Sequence, residues 1–488
     1  LPATRAGRLL LLLAALTAWR WLAAAHRNLE LYADEAQYWF WSLQPDWGYY
    51  SKPPMVAWLI RLGTTLFGDG ELGVRAASFL LWPATAWVIF LLVRRLYRDE
   101  TWGERAAFWS ALAFATLPMV SLGSWLITTD APLLLCWALS LYFLVRALQD
   151  HAWRDWLALG ACFGLGMLSK YSMAFFVPAL LLYLLLTRSY RALLRSPRPW
   201  VAALVALLVL APNLYWNLQH EFVSYRHTAE ISQLQRAWLH PGAALAFLLA
   251  QFAVFGPLLA AALVALTARP RRLWQDPRMR LLALFCLFPL AAFAGLSLLS
   301  RAFANWAAFA YVAGAALVAV GLLARGRLAW LVAALTFNLL LGATLYHYHD
   351  LARALDFPLT RKTDPTYRLA GNRALGALVA QRLAEYPRAR LLGDDRKSFA
   401  VLLYYARPRS LDAVYLNPGR EVSDHFALMA DVERSPDGEF LLVSRHASDE
   451  QVHRWFREVT PLPGIRVQVL PDYARDYHVW WVRDFRGY

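Results

Sequence analysis

The sequence predicts a polytopic α-helical membrane protein that closes with a small α/β domain, and three observations carry that expectation. Composition is the first: of 488 residues, 59% are hydrophobic, 15% aromatic and only 17% charged. Soluble domains average roughly 45–50% apolar and about 25% charged residues. The second is pattern, since the apolar residues gather into runs of about 18 or more, the length that crosses a bilayer. The third is the location of charge. A net charge of +15, from 49 Lys+Arg against 34 Asp+Glu, would suit a nucleic-acid binder. From His347 onward, however, 21 basic residues nearly cancel 19 acidic ones, whereas the first 346 residues hold 28 against 15. The excess lies between the apolar runs, where it orients a membrane chain. No nucleic-acid partner is expected, and disordered, collagen-like and disulfide-scaffold classes are excluded.

The apolar runs fall at about 8–25, 74–97, 104–121, 131–148, 154–169, 171–187, 199–215, 241–267, 280–298, 303–324 and 327–346. About eleven spans are therefore expected, and thirteen at most. Threading them alternately puts nineteen basic residues on one side, among them Arg94, Arg95, Arg98, Arg188, Arg191 and Arg195. The other side receives seven: Arg27, Lys52, Arg61, Lys170, Arg226, Arg236 and Arg301. The richer side is cytoplasmic by the positive-inside rule, so the N-terminus lies inside and an odd span count puts the tail outside. The first run is read as a retained anchor rather than a signal peptide. It is long, broken by Trp19-Arg20-Trp21 and lacks a small-residue cleavage site. Cys136, Cys162 and Cys286 all fall inside spans and read as small core residues.

Residues 1–346 thus form the membrane domain and 347–488 an outer α/β domain. The first outer loop, 26–73, is disproportionately long. Within it Pro53 and Pro54 open a segment in which Met55, Leu59, Leu62 and Leu66 recur at helical spacing, which predicts an interfacial helix. Tyr38-Trp39-Phe40-Trp41 reads as a headgroup-depth anchor. In the tail, helices are expected at Arg373–Tyr386 and Lys397–Ala406. Strands are expected at 390–392, Glu439–Ser444, Arg466–Leu470 and His478–Val482.

Ionisable residues concentrate at the outer ends of the spans. Asp34, Glu35, Lys52, Asp130, Lys170, Glu221, Arg226, His227 and Arg301 are expected to converge on one cavity at the outer membrane surface. Charges at that depth are costly and point to function. Adjacent residues on a helix lie about 100° apart, so of Asp34 and Glu35 one faces the cavity while the other caps or pairs. Asp130 precedes Ala131-Pro132 at a span start, where a plain helix N-cap is the competing role. Lys52 stands before Pro53-Pro54, which stiffen the backbone behind its ammonium group. The first 346 residues hold only two lysines, Lys52 and Lys170, and both map outside.

YADEAQYW, GYYSKPPMVAWL, ITTDAPL, GLGMLSKYS and PNLYWNLQHEFVSYRHT occur in this order across about residues 20–310. Together they resemble the bacterial membrane glycosyltransferases of the GT-C superfamily, family 39 type. That family includes the aminoarabinose lipid A transferases and the protein O-mannosyltransferases. The resemblance implies an inverting transfer of sugar from a polyprenyl-phosphate donor, at the periplasmic face of the bacterial inner membrane. The acceptor is then lipid A, lipopolysaccharide or another surface glycan, or alternatively protein Ser/Thr. By motif, Asp34 matches the catalytic acid of the first outer loop, Glu35 accompanies it, and Asp130 matches the acid of the second. Lys52 matches a lysine that binds the lipid phosphate, with Arg301 or Arg226 as a second cation. Lys170 and His227 join the substrate-binding candidates, as do Tyr49 and Tyr50, which with Trp39 and Trp47 either stack on sugar or sit at headgroup depth. Aminoarabinose transferases carry an acidic residue before the matching lysine, where this chain has Ser51. That departure argues against a metal-like site there and against aminoarabinose as the sugar. No cofactor is required, and a divalent metal is not expected.

The competing class is a polytopic transporter or flippase of lipid-linked sugars. It would place charges at the bilayer midplane and show matching halves, and neither pattern is present.

Overall fold

A computed structural model describes residues 4–232, 239–408 and 410–488; Arg236 and part of the third outer loop fall outside them. The chain forms two compact units. One comprises the chain up to Ala24, Lys52–Leu59 and Arg75–His347; the other comprises Ala25–Ser51, Ile60–Val74 and Tyr348–Tyr488. Most of the long first loop, which the sequence suggests belongs with the membrane domain, therefore groups with the C-terminal unit.

All eleven apolar runs are helical, but not as eleven straight spans. Among the described residues, six helices are long and apolar enough to cross a membrane: Arg5–Arg27, Glu71–Leu96, Asp130–Asp150, Pro197–Gln219, Pro277–Leu299 and Leu328–Tyr346. Two bent pairs bring that number to eight. The run read as one span at 241–267 is two helices, Pro241–Phe255 and Pro257–Thr267, bent by 119°. The cause is local. Gly256 sits at φ +89°, and a Cβ there would stand 2.1 Å from Asn338 Oδ1; Pro257 then opens the next helix without an N–H to donate. The run at 104–121 is likewise divided, into Gly103–Ala115 and Pro118–Gly123.

Small residues draw neighbouring helices together in this unit. A Cβ at Gly160, on Trp153–Ser169, would lie 2.3 Å from the Ala202 carbonyl oxygen of Pro197–Gln219, so the two backbones touch, as membrane helices often do. Ala310–Leu323, made of small and branched apolar residues, is buried along almost its whole length. Outward, large side chains such as Leu204, Leu207, Leu208, Leu248 and Leu340 are exposed, the inverse of what water would favour. The three cysteines are free, with Cys136 and Cys286 buried.

The second unit is built on a five-stranded sheet: β1 (Ala389–Gly393), β2 (Val414–Tyr415), β3 (Glu439–Ser444), β4 (Phe456–Leu470) and β5 (Tyr473–Phe485). The order is β2-β1-β3-β5-β4, with the first three strands parallel and the last two antiparallel to their neighbours. Alternate side chains serve two cores. Leu391, Leu441 and Val443 pack with Leu375, Val379 and Leu383 of the helix Asn372–Glu385 on one face. Leu392, Phe440 and Leu442 join Val452, Trp480 and Val482 on the other. Covering on both faces explains why β1 and β3 read as continuous apolar runs. β4 and β5 are longer than the sequence suggests, at 15 and 13 residues. Pro461 and Pro463 argue against a strand, but β4 lies at the sheet edge, where a missing N–H costs no ladder bond, and the register slips between Leu462 and Ile465.

The first-loop aromatics also depart from expectation. Tyr38, Trp39 and Trp41 are at most 8% exposed. They lie on the helix Ala33–Leu43, which packs against the helix Arg396–Tyr405 of the same unit. Trp39 donates its indole N–H to Asp69 at 2.6 Å and meets the Tyr404 ring edge-on. These rings are core, not a headgroup anchor.

Candidate active site

The sequence-predicted residues resolve into two carboxylate–cation centres, one in each unit. In the C-terminal unit, Asp34 and Glu35 divide their tasks. Glu35 is buried, and its Oε2 accepts the Tyr32 backbone N–H at 2.9 Å, capping the helix Ala33–Leu43. Asp34, turned about 100° away, is 42% exposed and accepts from Arg396 Nη1 at 2.9 Å. The same guanidinium donates to Gln37 Oε1, one helical turn on from Asp34 and on the same face. Asp34 Oδ2 makes no hydrogen bond among the described residues, so it remains available to a substrate hydroxyl. Arg396 and Gln37 are absent from the sequence-derived set. Arg396 lies 362 residues from Asp34, and nothing local in Asp394-Asp395-Arg396-Lys397 signals the pairing.

In the helical unit Lys170 Nζ meets Asp130 Oδ1 at 2.7 Å, and both side chains are less than 20% exposed. Asn305 Nδ2 lies 3.4 Å from the other Asp130 oxygen. Asp130 is the first residue of Asp130–Asp150 and not its N-cap, which is Thr129. The plain capping role therefore does not describe it, although the helix N-terminus still favours its charge. Lys170 ends the helix Trp153–Ser169 in extended conformation, and the next residue is held firmly. Tyr171 donates its hydroxyl to Asn213 at 3.2 Å, accepts from Asn217 at 3.3 Å and stacks on Tyr225 at 4.5 Å. Asn213 and Asn217 are fully buried. This explains why the PNLYWNLQHEF segment carries two asparagines in an apolar helix. Asn305, a polar residue inside an apolar run, offers the same kind of signal.

The remaining candidates fall as follows. Lys52 is half-buried beside Pro53 and Pro54, and the Pro54 carbonyl accepts the first N–H groups of the helix Met55–Phe67. Arg226 pairs with Glu221 at 2.9 Å on an exposed surface. Glu221 and Phe222 both adopt positive φ in the turn before the helix Val223–Ser232, which carries Arg226 and half-buried His227. Arg301 lies exposed over the Phe303 ring, 5.4 Å from its centroid. Neither arginine enters the Asp130–Lys170 pair.

Tyr49 corrects expectation. Its ring is stacked on Trp41 at 4.5 Å, and its hydroxyl accepts from the Asp46 N–H and donates to the Trp41 carbonyl, both at 3.1 Å. It is a packing residue with no face left for sugar. Tyr50 is buried as well. Among the described residues no group of three or more His, Cys, Asp or Glu side chains is placed to hold a metal.

The architecture is that of the GT-C class. The crystal structure of ArnT from Cupriavidus metallidurans bound to undecaprenyl phosphate aligns with a TM-score of 0.66 at 18% identity, over 96% of this chain and 97% of that one. The apo structure of the same protein gives 0.64. The family model described as dolichyl-phosphate-mannose-protein mannosyltransferase matches residues 51–216. Lipid A galacturonosyltransferase RgtD of Rhizobium johnstonii is 32% identical over 434 residues, covering 87% of this chain and 88% of that one. An undecaprenyl phosphate-alpha-4-amino-4-deoxy-L-arabinose arabinosyl transferase of Pseudomonas paraeruginosa is 32% identical over 269 residues, or 50% of this chain and 45% of its own. The chain belongs to family 39 of the GT-C membrane glycosyltransferases.

Proposed function

We propose that this enzyme transfers a sugar, with inversion, from a polyprenyl-phosphate donor to lipid A or its lipopolysaccharide at the periplasmic face of the bacterial inner membrane. Galacturonic acid is the sugar we favour. The observation that carries this reading is the end-to-end relationship to a lipid A galacturonosyltransferase. The nineteen-to-seven bias of basic residues, counted on the eleven apolar runs, supports a cytoplasmic N-terminus and an outer C-terminal unit.

Direct displacement at an anomeric carbon needs an oriented acceptor and relief of charge on the departing phosphate. Lys52 supplies the second, with Arg301 or Arg226 as the candidate second cation; loss of one such preorganised cation costs on the order of 10²–10³ in rate. Asp34 accepts the proton of a hydroxyl acceptor, an effect of about 10²–10⁴. Where the acceptor is a phosphate, already anionic, Asp34 orients it instead. The Asp130–Lys170 centre holds a fixed charge pattern in the helical unit. Asp34 and Asp130 each face a cation, which supports a transfer that tolerates chelator.

The test uses membranes given a labelled polyprenyl-phosphate galacturonate and lipid A. Transfer to lipid A by the wild type, and its loss in both Asp34→Asn and Lys52→Ala at equal protein levels, is the expected result. Undiminished transfer by both variants removes the two residues from the mechanism. Label in periplasmic protein rather than lipid A would move the acceptor to protein, the acceptor that the name of the matching family model carries.

A further inference from the structure

The C-terminal unit holds a cavity of about 330 Å³, at the lower end of the roughly 300–1,000 Å³ of small-ligand sites. Arg361, Arg368, Lys397, Arg445, Arg475 and His446 line it. Its one carboxylate, Asp395, is turned to its own helix, where Oδ2 accepts the Ser398 N–H at 2.9 Å. The guanidinium groups are held by neutral partners, while the Asp472 carboxylate accepts the Arg361 backbone N–H at 3.0 Å and Glu30 lies within electrostatic reach of Arg475. Arg475 donates to Asn372 Oδ1 at 2.7 Å and to the Tyr367 and Ala370 carbonyls at 3.3 and 3.0 Å. Arg368 donates to the Tyr367 hydroxyl at 3.1 Å, while Arg361 and Arg445 lie over the Tyr473 and Tyr477 rings.

None of the four arginines, nor Lys397, forms an ion pair among the described residues. Elsewhere in the unit Arg353, Arg373, Arg382, Arg407, Arg420 and Arg454 each face a carboxylate. The cavity therefore carries an excess of positive charge, which an entering anion would relieve. Its field reaches Tyr367, whose phenol is held below the usual range by the Arg368 and Arg361 hydrogen bonds. Position matters too. Tyr32 and Ala33 on the wall directly precede Asp34, and Asp395 and Lys397 flank Arg396.

We propose that this cavity binds the phosphate of a phosphorylated sugar headgroup on the acceptor, anchoring it beside the Asp34–Arg396 pair. The inference rests on the lipid A reading for the identity of the acceptor, but not for the existence of the anion site. The experiment is calorimetry on the full-length protein in neutral detergent. Its probes are an acyl-free glucosamine disaccharide bearing phosphate, the same disaccharide without phosphate, inorganic phosphate, and a short-chain polyprenyl phosphate. The variants are Lys397→Gln and Arg445→Gln, both at exposed side chains that make no hydrogen bond among the described residues.

The phosphorylated disaccharide is expected to bind at least tenfold tighter than inorganic phosphate or the bare sugar, and to weaken as salt rises. Each variant should lose about tenfold and the double variant about a hundredfold, with polyprenyl-phosphate affinity unchanged. Equal binding by the double variant and the wild type overturns the proposal, as does equal binding of phosphorylated and bare sugar. Inorganic phosphate binding as tightly as the sugar phosphate would reduce the cavity to a free-anion site and overturns it too. A loss confined to polyprenyl phosphate would assign the cavity to the donor. Because no transfer is measured, a wild type that binds the phosphosugar but never glycosylates lipid A would sink the functional reading and leave this site standing.

Discussion

Asp130 and Asp34 are both carboxylates held by a cation, yet their surroundings differ in a way that separates their work. The Asp130–Lys170 pair is less than 20% exposed, at 2.7 Å, with Asn305 beside the second oxygen. The Asp34–Arg396 pair is 42% and 33% exposed, and the second carboxylate oxygen is unclaimed among the described residues. A desolvated pair is expensive to break because the survivor is left as an uncompensated charge. A wet pair is screened and contributes no more than about 1 kcal/mol, so it can release a partner to a substrate at little cost. The first pair is the costlier of the two to separate.

That contrast can be broken experimentally, beginning with the largest effect. Asp34→Asn should lower kcat about 10²–10⁴-fold while leaving the thermal midpoint in detergent within a degree or two of wild type. A variant that melts early and still turns over would reverse the two roles. Lys170→Met should behave in the opposite sense, destabilising by roughly 3–5 kcal/mol because Asp130 is left buried and unpaired. The double variant Asp130→Leu/Lys170→Met should recover most of that loss on thermal unfolding. If it melts no higher than the single variant, the pair is not what holds this part of the fold.

Arg396→Gln sharpens the comparison on a smaller scale. Its guanidinium donates to Asp34, so we expect about a tenfold fall in kcat, on the scale of one lost charge-assisted hydrogen bond. Arg396→Lys should restore only part of it, since an ammonium group cannot span Asp34 and Gln37 as a planar fork does. Full activity in Arg396→Gln would show that Asp34 needs no orienting partner.

The smallest effect is a pH dependence inside the C-terminal unit. Burial pushes the Asp394 carboxyl above its ordinary range, and Oδ1 has no hydrogen-bond partner. Burial raises Glu30 in the same way. A raised folded pKa means the folded state takes up the proton first. Stability is therefore lowest above that pKa, grows as pH falls through it, and is complete below the unfolded value of about 3.9 for Asp. Asp364 runs the other way. Burial opposes its charge, but the His349 hydrogen bond outweighs it and depresses the pKa. Its contribution is present above the unfolded pKa and is lost only as pH falls through the depressed folded one. As pH falls from neutrality towards the unfolded carboxylate range the thermal midpoint should therefore rise slightly, and Asp394→Asn should flatten that rise. A midpoint that falls over this interval would contradict the assignment.

Much of this molecule is legible without coordinates because the signals involved are local. Apolar run length is a one-dimensional property, and it marks the helices. The 100° step between neighbours on a helix separates Asp34 from Glu35: Glu35 caps its own helix, as that step allows, and Asp34 turns to Arg396. Periodicity likewise finds β3 at Glu439–Ser444 to the residue. The failures share a cause. Tyr38-Trp39-Phe40-Trp41 has the composition of an interfacial anchor, and only packing against Arg396–Tyr405 makes it core. The prolines of β4 forbid a central strand but not an edge, and position in a sheet is not written in any one segment.

The sequence by itself determined the class of protein, its membrane helices and the two carboxylates worth mutating, because hydropathy and short motifs are carried by neighbouring residues. The tertiary structure alone decided which cation each carboxylate meets, since Asp34 and Arg396 are 362 residues apart and Asp130 and Lys170 are 40. Those partners, and the degree to which water reaches them, set the two acids apart: one pair is largely withdrawn from solvent and the other is open to it.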